Sequence, residues 1–359
     1  MRRLRNYPTI FSLRKLWDNR RIAWRILLAV FIAFAPVRPV AAQDDVPPAA
    51  LAEHLKDGFP DPDDIGWMRG LFPGATDKER AEWNAIQDWV KACTDTGTAR
   101  VRAEIIAMGQ GAPSLGDRTY PPPLCAAVAD LPPPKGMAKD WNAYLTAHQE
   151  AGRAFAIFFH GAKLGFESAP FDPAWANEDA RMLMHATVRE QVYRKAMSWP
   201  VDGPKLEPAV WQAFRRRLTL AVTQEDAKNT AMLETYVAEH GWPTISRVGQ
   251  RASGAAWLLV QHADLDPAFQ LKALRLMEPL VSKGEVSKSD YAYLYDRVML
   301  KIAGTQRYGT QMTCKDGELV PEPLEAGVEV DAARAEMGLN PIADYQKMMD
   351  EGFAPCPTN

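Results

Sequence analysis

The stretch PAVWQAFRRRLTLAVTQEDAKNTAMLETYVAEH, Pro208–His240, decides the fold class of this chain because it predicts one long, uninterrupted helix. After Pro208 it contains neither proline nor glycine, and proline is tolerated in a first turn because its missing N–H has no acceptor there. Gly241 and Pro243 then end the helix, since glycine takes the left-handed cap conformation and proline cannot continue a helix.

Helical patterns continue on both sides of this stretch. Apolar residues recur there at three- and four-residue steps, which is the period of a helix with one buried face. The predicted helices begin near residue 77 and cover 99–108, 141–159, 177–197, 250–262, 266–283 and 287–303, with two short closing helices at 332–337 and 342–349. Asp266 and Ser287 precede two of them as N-cap residues, whose side-chain oxygens accept free backbone N–H groups.

One small β feature is predicted near the C-terminus. Residues 311–314 and 318–321 flank Lys315-Asp316-Gly317, and an Asp-Gly pair is typical of a tight hairpin turn. The predicted fold class is therefore mainly α: a multi-helix domain with a small C-terminal β-hairpin, preceded by a second helical region. A helical solenoid is the alternative, although the sequence contains no repeat of fixed length.

Proline and glycine divide the chain into regions. Residues 43–60 predict a leader or linker, and residues 61–200 predict a helical N-terminal region. Within that region, 109–138 is so rich in proline and glycine that it predicts a long loop without a helix. A break near 200–206 separates the region from a predicted C-terminal domain at 207–359.

The first 42 residues have the three parts of an export signal. A basic region ends at Arg25, an apolar stretch follows over 26–36, and small residues at 40–42 predict cleavage after Ala42. An uncleaved membrane anchor is the alternative, but about eleven helical residues rise only about 16 Å, roughly half of the hydrocarbon core. We therefore expect a periplasmic or secreted protein with no membrane span after cleavage.

The charge of the chain changes at this cleavage point. The formal net charge of the whole chain is −3, but residues 1–42 carry nine basic side chains and one acidic one, so the remaining 317 residues carry −11. A protein that binds nucleic acid without sequence preference needs an excess of cations. The sequence therefore predicts no nucleic-acid partner and leaves an unidentified ligand or protein of the cell envelope.

Four cysteines agree with export, because an even number in an oxidising compartment predicts disulfides. We predict Cys93–Cys125, which closes the loop rich in proline and glycine, and Cys314–Cys356, which ties down the C-terminal tail. Free thiols are the alternative. The sequence has no C-x-x-C pair, so neither a redox centre nor a zinc knuckle is indicated.

Four polar and aromatic stretches distinguish the last third of the chain from an ordinary helical core. They are His240-Gly241-Trp242-Pro243, Gln261-His262-Ala263-Asp264, Tyr291-Ala292-Tyr293-Leu294-Tyr295-Asp296-Arg297 and Gln306-Arg307-Tyr308-Gly309-Thr310-Gln311. In this order they resemble a bacterial family of unknown function whose members share an HGWP turn, a QHAD helix end, a YAYLxDR helix and a QxYGTQ segment. The resemblance covers about residues 210–350 and implies no particular activity.

A histidine and an aspartate in these stretches are the candidate catalytic residues. His262 follows two leucines near the end of a helix, and Asp296 lies mid-helix among aromatic and apolar residues, where it needs a partner outside its own helix. A contact between them would fix the imidazole tautomer and raise its basicity, as a general base requires. A core histidine bonded to a single carbonyl is the structural alternative.

Five further residues are candidate ligand-binding groups: His240, Arg297, Tyr308, Thr310 and Gln311. The loop that holds the last three offers a phenol, a hydroxyl and an amide within four residues, which suits a carbonyl or anionic ligand. In the alternative interpretation this loop anchors the hairpin to the helices, and His240 caps its helix.

The common nucleotide, hydrolase and metalloprotease motifs are absent from the sequence. We predict no cofactor and no metal site, since no local spacing brings His240 and His262 together with Asp226 or Asp296. Two functions remain: a helical binding or structural module of the cell envelope, and a periplasmic hydrolase or transferase that uses the His–Asp pair. Convergence of the candidate residues on one open cleft favours the enzyme, whereas dispersal or burial favours the module.

Overall fold

A computed structural model describes residues 46–111, 115–116, 118–168, 177–197, 205–352 and 356. The predicted export signal at 1–42 lies outside these residues, as does most of the predicted break at 200–206.

The first described elements are packed, and they differ here from the leader predicted at 43–60. A short helix, α1 (Ala49–Ala52), is followed by a hairpin of β1 (Leu55–Lys56) and β2 (Phe59–Pro60). Leu51 of α1 is fully buried. These elements are only two to four residues long, too short for a hydrophobic period to reveal them in the sequence.

One continuous helix, α2 (Asp77–Ala107), spans both stretches that predict helix near residue 77 and at 99–108. It begins at a capping box: Thr76 Oγ1 accepts the backbone N–H of Glu79, and the Glu79 carboxylate accepts that of Thr76. A 3-10 helix, Gly66–Leu71, precedes α2 in the chain and packs against it.

The segment predicted as a loop at 109–138 contains a helix, α3 (Pro123–Asp130), so the prediction of no helix there is wrong. Pro123 lies in the first turn, where its missing N–H costs no hydrogen bond, and the apolar residues that follow it are buried. Cys125 of α3 lies at disulfide distance from Cys93 of α2, which is the predicted pairing.

Three long helices form the middle of the fold: α4 (Trp141–Ser168), α5 (Glu178–Ala196) and α6 (Pro208–His240). The last of them has the bounds that the sequence predicts, and Gly241 follows it with a φ of +71°. It packs against α3, α4 and α5, so it is the element on which the upstream helices assemble.

The chain then continues through α7 (Ile245–Val248), α8 (Gln250–Gln261), α9 (Pro267–Val281), α10 (Lys288–Ile302), β3 (Met312–Lys315), β4 (Glu318–Pro321), α11 (Val330–Glu336) and α12 (Ile342–Gly352). The two strands form the predicted antiparallel hairpin. Asp316 and Gly317 at its turn have φ values of +55° and +84°, as a tight two-residue turn requires. The fold is mainly α with a small C-terminal hairpin, as predicted.

The second predicted cysteine pair lies beside this hairpin. The Cα atoms of Cys314 in β3 and Cys356 are 5.5 Å apart, and their sulfur atoms lie at disulfide distance. The pair therefore fixes the tail to the hairpin, as the sequence predicts.

The largest hydrophobic core is built from both predicted regions of the chain. Ile105 of α2 and Leu183 of α5 pack in one cluster with Leu233 of α6, Leu259 of α8 and Leu294 of α10. Among the described residues, the break near 200–206 therefore does not separate two cores.

Candidate functional site

His262 lies at the C-terminal end of α8, on a helix end that is held firmly. Its backbone N–H donates to the carbonyl of Leu258. The amide group of Gln270, which is fully buried, donates to the carbonyls of Val260 and Gln261. The Val260 carbonyl also accepts the backbone N–H of Ala263, and Gln270 adds a side-chain donor to both carbonyls, which fixes the position from which His262 projects.

The carboxylate beside His262 is Glu190 of α5. Its Oε2 lies 3.1 Å from Nδ1 of His262, and its side chain is fully buried. The Glu190 carboxylate also accepts hydrogen bonds from Gln191 Nε2 at 2.7 Å and from Arg194 Nε. A buried carboxylate is stable only with such partners, so Gln191 and Arg194 hold Glu190 in place beside the imidazole.

A second carboxylate, Asp226 of α6, completes the cluster. Nη2 of Arg194 donates to both of its oxygens at 2.7 Å. Burial raises the pKa of Asp226 to about 6, against the opposing effect of Arg194. Burial also raises the pKa of Glu190, but contacts with His262, Gln191 and Arg194 outweigh it and hold that pKa below its usual value.

Glu190, Asp226 and His262 are also of the residue types that bind metal ions. Ligand atoms of Glu190, Asp226 and His262 all lie within 4.8 Å of one another. However, the Arg194 guanidinium already bonds both carboxylates, so the cation of this cluster is an arginine. A metal ion would have to displace that guanidinium, and the donor set fits an ion-pair network better than a metal centre.

The cluster borders a cavity of about 330 Å³ between α2, α6 and the α8–α9 connection. We call it the acidic cavity because six carboxylates line it, against one arginine, Arg100, and His262. The six are Glu104, Asp130, Asp226, Glu234, Asp264 and Asp266. An excess of negative charge in a partly enclosed space attracts cations.

The pKa values of the cavity carboxylates show the effect of crowding. Burial raises the pKa of Glu104, and the Asp266 carboxylate raises it further. Burial raises the pKa of Glu234 as well, and the carboxylates of Asp266 and Glu104 raise it further. The neighbouring carboxylates therefore repel one another, and a bound cation would relieve that repulsion.

Another wall of the acidic cavity is formed by Pro121, Pro122 and the start of α3. A Cβ atom on Gly97 of α2 would lie 2.5 Å from Cδ of Pro122, so only glycine permits this approach. The backbone N–H of Tyr120 donates to Thr98 Oγ1 at 2.8 Å. The contact between Gly97 and Pro122 and the hydrogen bond between Tyr120 and Thr98 hold the segment 120–122 against α2.

The predicted contact between His262 and Asp296 does not form among the described residues. Asp296 is fully buried, and its carboxylate accepts the backbone N–H groups of Arg307, Tyr308 and Thr310 at 2.8–2.9 Å. Three backbone donors use most of the acceptor capacity of this carboxylate and tie it to the loop. In this structure Asp296 anchors the loop 307–310, and the carboxylate beside His262 is that of Glu190.

The loop that Asp296 holds is the segment with Tyr308, Thr310 and Gln311. The carbonyl of Tyr308 accepts from Arg334, and that of Thr310 accepts from the Tyr345 hydroxyl at 3.0 Å. Tyr308 and Thr310 are buried, so in this structure they anchor the loop.

The three other predicted ligand-binding residues are dispersed. Nη1 of Arg297 donates to both carboxylate oxygens of Asp264 at 2.9 and 3.1 Å. The backbone N–H of Gln311 donates to Oε1 of Gln306 at 2.9 Å. His240 is the last residue of α6 and lies near Glu239 on the exposed surface. Arg297 and Gln311 nevertheless line one cavity, beside α10, whereas His262 lines the acidic cavity, so the seven predicted residues do not all converge on one cleft.

Sequence reasoning missed Glu190 as the partner of His262, although a local signal exists. Ala180, Leu183 and Ala186 form the buried stripe of α5, and Glu190 continues it four residues later. A charged residue in a buried stripe needs a partner, which marks it as a residue of interest. The identity of that partner depends on the packing of α5 against α8, which the sequence does not reveal.

The fold and this cluster define a helical domain with an internal ion-pair network beside an acidic cavity. Residues 204–355 match the model of a family described as a family of unknown function, DUF6624. The matched residues include the region of the sequence resemblance. None of the curated proteins and none of the solved structures matches the chain.

Proposed function

We propose that this protein is an exported helical module of the cell envelope that binds a cationic, amine-bearing ligand in the acidic cavity. The observation that carries the proposal is the lining of that cavity, which has six acidic residues against one arginine and one histidine. The carboxylates of Asp226 and Asp264 are already paired, with Arg194 and with Arg297 and Lys301, so Glu104, Asp130, Glu234 and Asp266 supply the excess negative charge. An ammonium group placed there gains charge-assisted hydrogen bonds and lowers the repulsion between the carboxylates.

Three observations are compatible with export. Two pairs of cysteines lie at disulfide distance, as expected of an oxidising compartment. Over the ranges that the structure describes, no helix is long and apolar enough to span a bilayer. The basic and apolar segment at 1–42 is the third, since it has the pattern of a signal that is removed after translocation.

Titration calorimetry with two matched sugars tests the proposal. Glucosamine carries an ammonium group, whereas glucose has a hydroxyl at the same carbon and almost the same shape without the charge. We expect glucosamine alone to bind, and the double variant Glu104→Gln, Glu234→Gln to weaken its affinity about tenfold, because each lost charge pair costs up to about 1 kcal/mol. Equal binding of both sugars, or none of either, would refute an amine-selective cavity.

The matched control for this titration is Glu239→Gln. Glu239 lies on the same helix as Glu234 and is exposed like it, but it does not line the acidic cavity. This variant removes one negative charge from the surface, so an unchanged affinity shows that the cavity charges act locally.

A second candidate function is a hydrolase or transferase in which His262 is the general base and Glu190 orients it. The contact of 3.1 Å between the two residues favours it, since His262 also lines the cavity. A screen of model esters, amides and glycosides tests this candidate. Loss of activity in His262→Gln, with an unchanged circular dichroism spectrum, supports the hydrolase or transferase function. Absence of activity in the wild-type protein across the screen contradicts that function.

A further inference from the structure

A second cavity, of about 580 Å³, opens between the segment 118–120 and the helix α10. We call it the basic cavity. Its polar lining includes Arg118, Tyr120, Asp264, Arg297, Lys301 and Glu322. Three cations thus face two carboxylates, which leaves an excess of one positive charge in a cavity next to the acidic one.

Two of the three cations are already engaged. Lys301 is buried and donates to Asp264 Oδ1 at 2.6 Å, to the Asp264 carbonyl and to Gln270 Oε1. Nη1 of Arg297 donates to both oxygens of the same Asp264 carboxylate. Together they hold the pKa of Asp264 at about 2 against the effect of burial, so this carboxylate stays ionised and does not leave its partners.

Arg118 is the cation that remains for a ligand. Its side chain is exposed at the edge of the basic cavity, and it forms no ion pair with any residue that the structure describes. The five N–H donors of a guanidinium form a planar fork that matches a carboxylate in two parallel hydrogen bonds.

Tyr120 lies beside Arg118, and it is the second group that points to a ligand. Burial raises the pKa of its hydroxyl against the lowering effect of Arg118. Only 4% of this residue is exposed, it lines the basic cavity, and its hydroxyl proton has no acceptor among the described residues. A buried hydroxyl without an acceptor costs roughly 1–3 kcal/mol, so such groups are normally satisfied by another group or a ligand.

We propose that the basic cavity binds the carboxylate group of a second ligand, with Arg118 and the Tyr120 hydroxyl as its donors. The excess of a single positive charge fits a monoanion, whereas a phosphate dianion would face Asp264 and Glu322 with a charge left over. This site does not depend on the amine ligand proposed for the acidic cavity.

Chemical-shift titration of the ¹⁵N-labelled wild-type protein with acetate tests the site, with inorganic phosphate as the competing probe. We expect acetate to shift the amides of 118–120 and α10 in a saturable way. Arg118→Gln should weaken acetate binding about tenfold or more, since a hydrogen bond to a charged group contributes about 1.5–3 kcal/mol. Tighter binding of phosphate than of acetate would overturn the carboxylate assignment.

Two further variants separate the proposed contacts from general effects. Tyr120→Phe removes only the hydroxyl, so it should weaken acetate binding while the thermal midpoint stays the same or rises. Arg102→Gln removes an exposed arginine of α2 that does not line the cavity, and it should leave acetate binding unchanged. The proposal fails if Arg118→Gln and Tyr120→Phe bind acetate as the wild type does.

Discussion

Oε2 of Glu190 lies 3.1 Å from Nδ1 of His262, and this contact joins the middle of α5 to the end of α8. Both groups belong to one network, in which Arg194 connects Glu190 to Asp226 of α6. Three helices are therefore coupled by charges at the edge of the acidic cavity. The predictions below test the network, the loop held by Asp296 and the disulfides.

Replacement of Glu190 by glutamine should destabilise the protein by roughly 1–3 kcal/mol, because a buried Arg194 Nε then loses its charged acceptor. Urea denaturation at pH 7 measures the change. Glu178→Gln, at the exposed start of the same helix, is the matched control, and its cost should stay below about 1 kcal/mol. Equal effects of the two changes would show that the network contributes nothing.

Replacement of Asp296 by alanine should cost more, because it leaves three backbone N–H groups of the loop without acceptors. We expect a loss of about 3 kcal/mol or more in the free energy of unfolding. Tyr308→Phe is the control, since it keeps the backbone contacts of Tyr308 with Asp296 and Arg334. If Asp296→Ala is no less stable than this control, Asp296 does not organise the loop.

The raised pKa of Asp226, about 6, makes stability depend on pH in a defined direction. A carboxyl group whose pKa is raised by folding favours the folded state below its unfolded pKa, near 4, and loses that contribution as the pH rises through about 6. Between pH 4 and 7, wild type should therefore lose up to about 3 kcal/mol relative to Asp226→Asn. Urea denaturation of both proteins at each pH measures the difference; a constant difference would contradict the raised pKa.

The two cysteine pairs should differ in their response to a reductant. Cys93 and Cys125 are each 1% exposed in a hydrophobic core, whereas Cys314 and Cys356 are partly exposed. Dithiothreitol under native conditions should reduce Cys314–Cys356 first, and alkylation followed by mass spectrometry identifies the order. Reduction of both pairs at the same rate would contradict the difference in burial.

The Cys93–Cys125 pair should also contribute to the free energy of unfolding. It closes a segment with a sequence separation of 32 residues. By loop entropy, replacement of both cysteines with alanine should cost about 3–4 kcal/mol. The free energy of unfolding of this double variant, compared with the wild type, measures the cost, and a change below about 1 kcal/mol would contradict it.

The fold was predictable where local signals decide it. Pro208, Gly241 and Pro243 mark the ends of α6, and the Asp-Gly turn marks the hairpin. Helix α3 was not predicted because prolines stand at its start, Pro122 as the N-cap and Pro123 in the first turn. Proline breaks a helix interior but suits a first turn. The short elements before residue 61 escaped it because they contain no full hydrophobic period.

The candidate site was predictable only in part, because it depends on contacts between distant segments. The need of His262 for an acidic partner follows from its place at a helix end beside apolar residues. The partner itself, Glu190, is brought close only when α5 packs against α8. Asp296 was assigned to His262 because both need partners, and the sequence does not show that three backbone N–H groups already satisfy Asp296.

The central claim is that the acidic cavity binds a cationic ligand, and a crystal structure of the protein with glucosamine tests it most directly. We predict electron density for the sugar in the cavity next to His262, with its ammonium nitrogen about 2.7–2.9 Å from oxygens of the lining carboxylates. An empty cavity in crystals soaked with saturating glucosamine, or glucosamine bound only elsewhere on the surface, would contradict the claim.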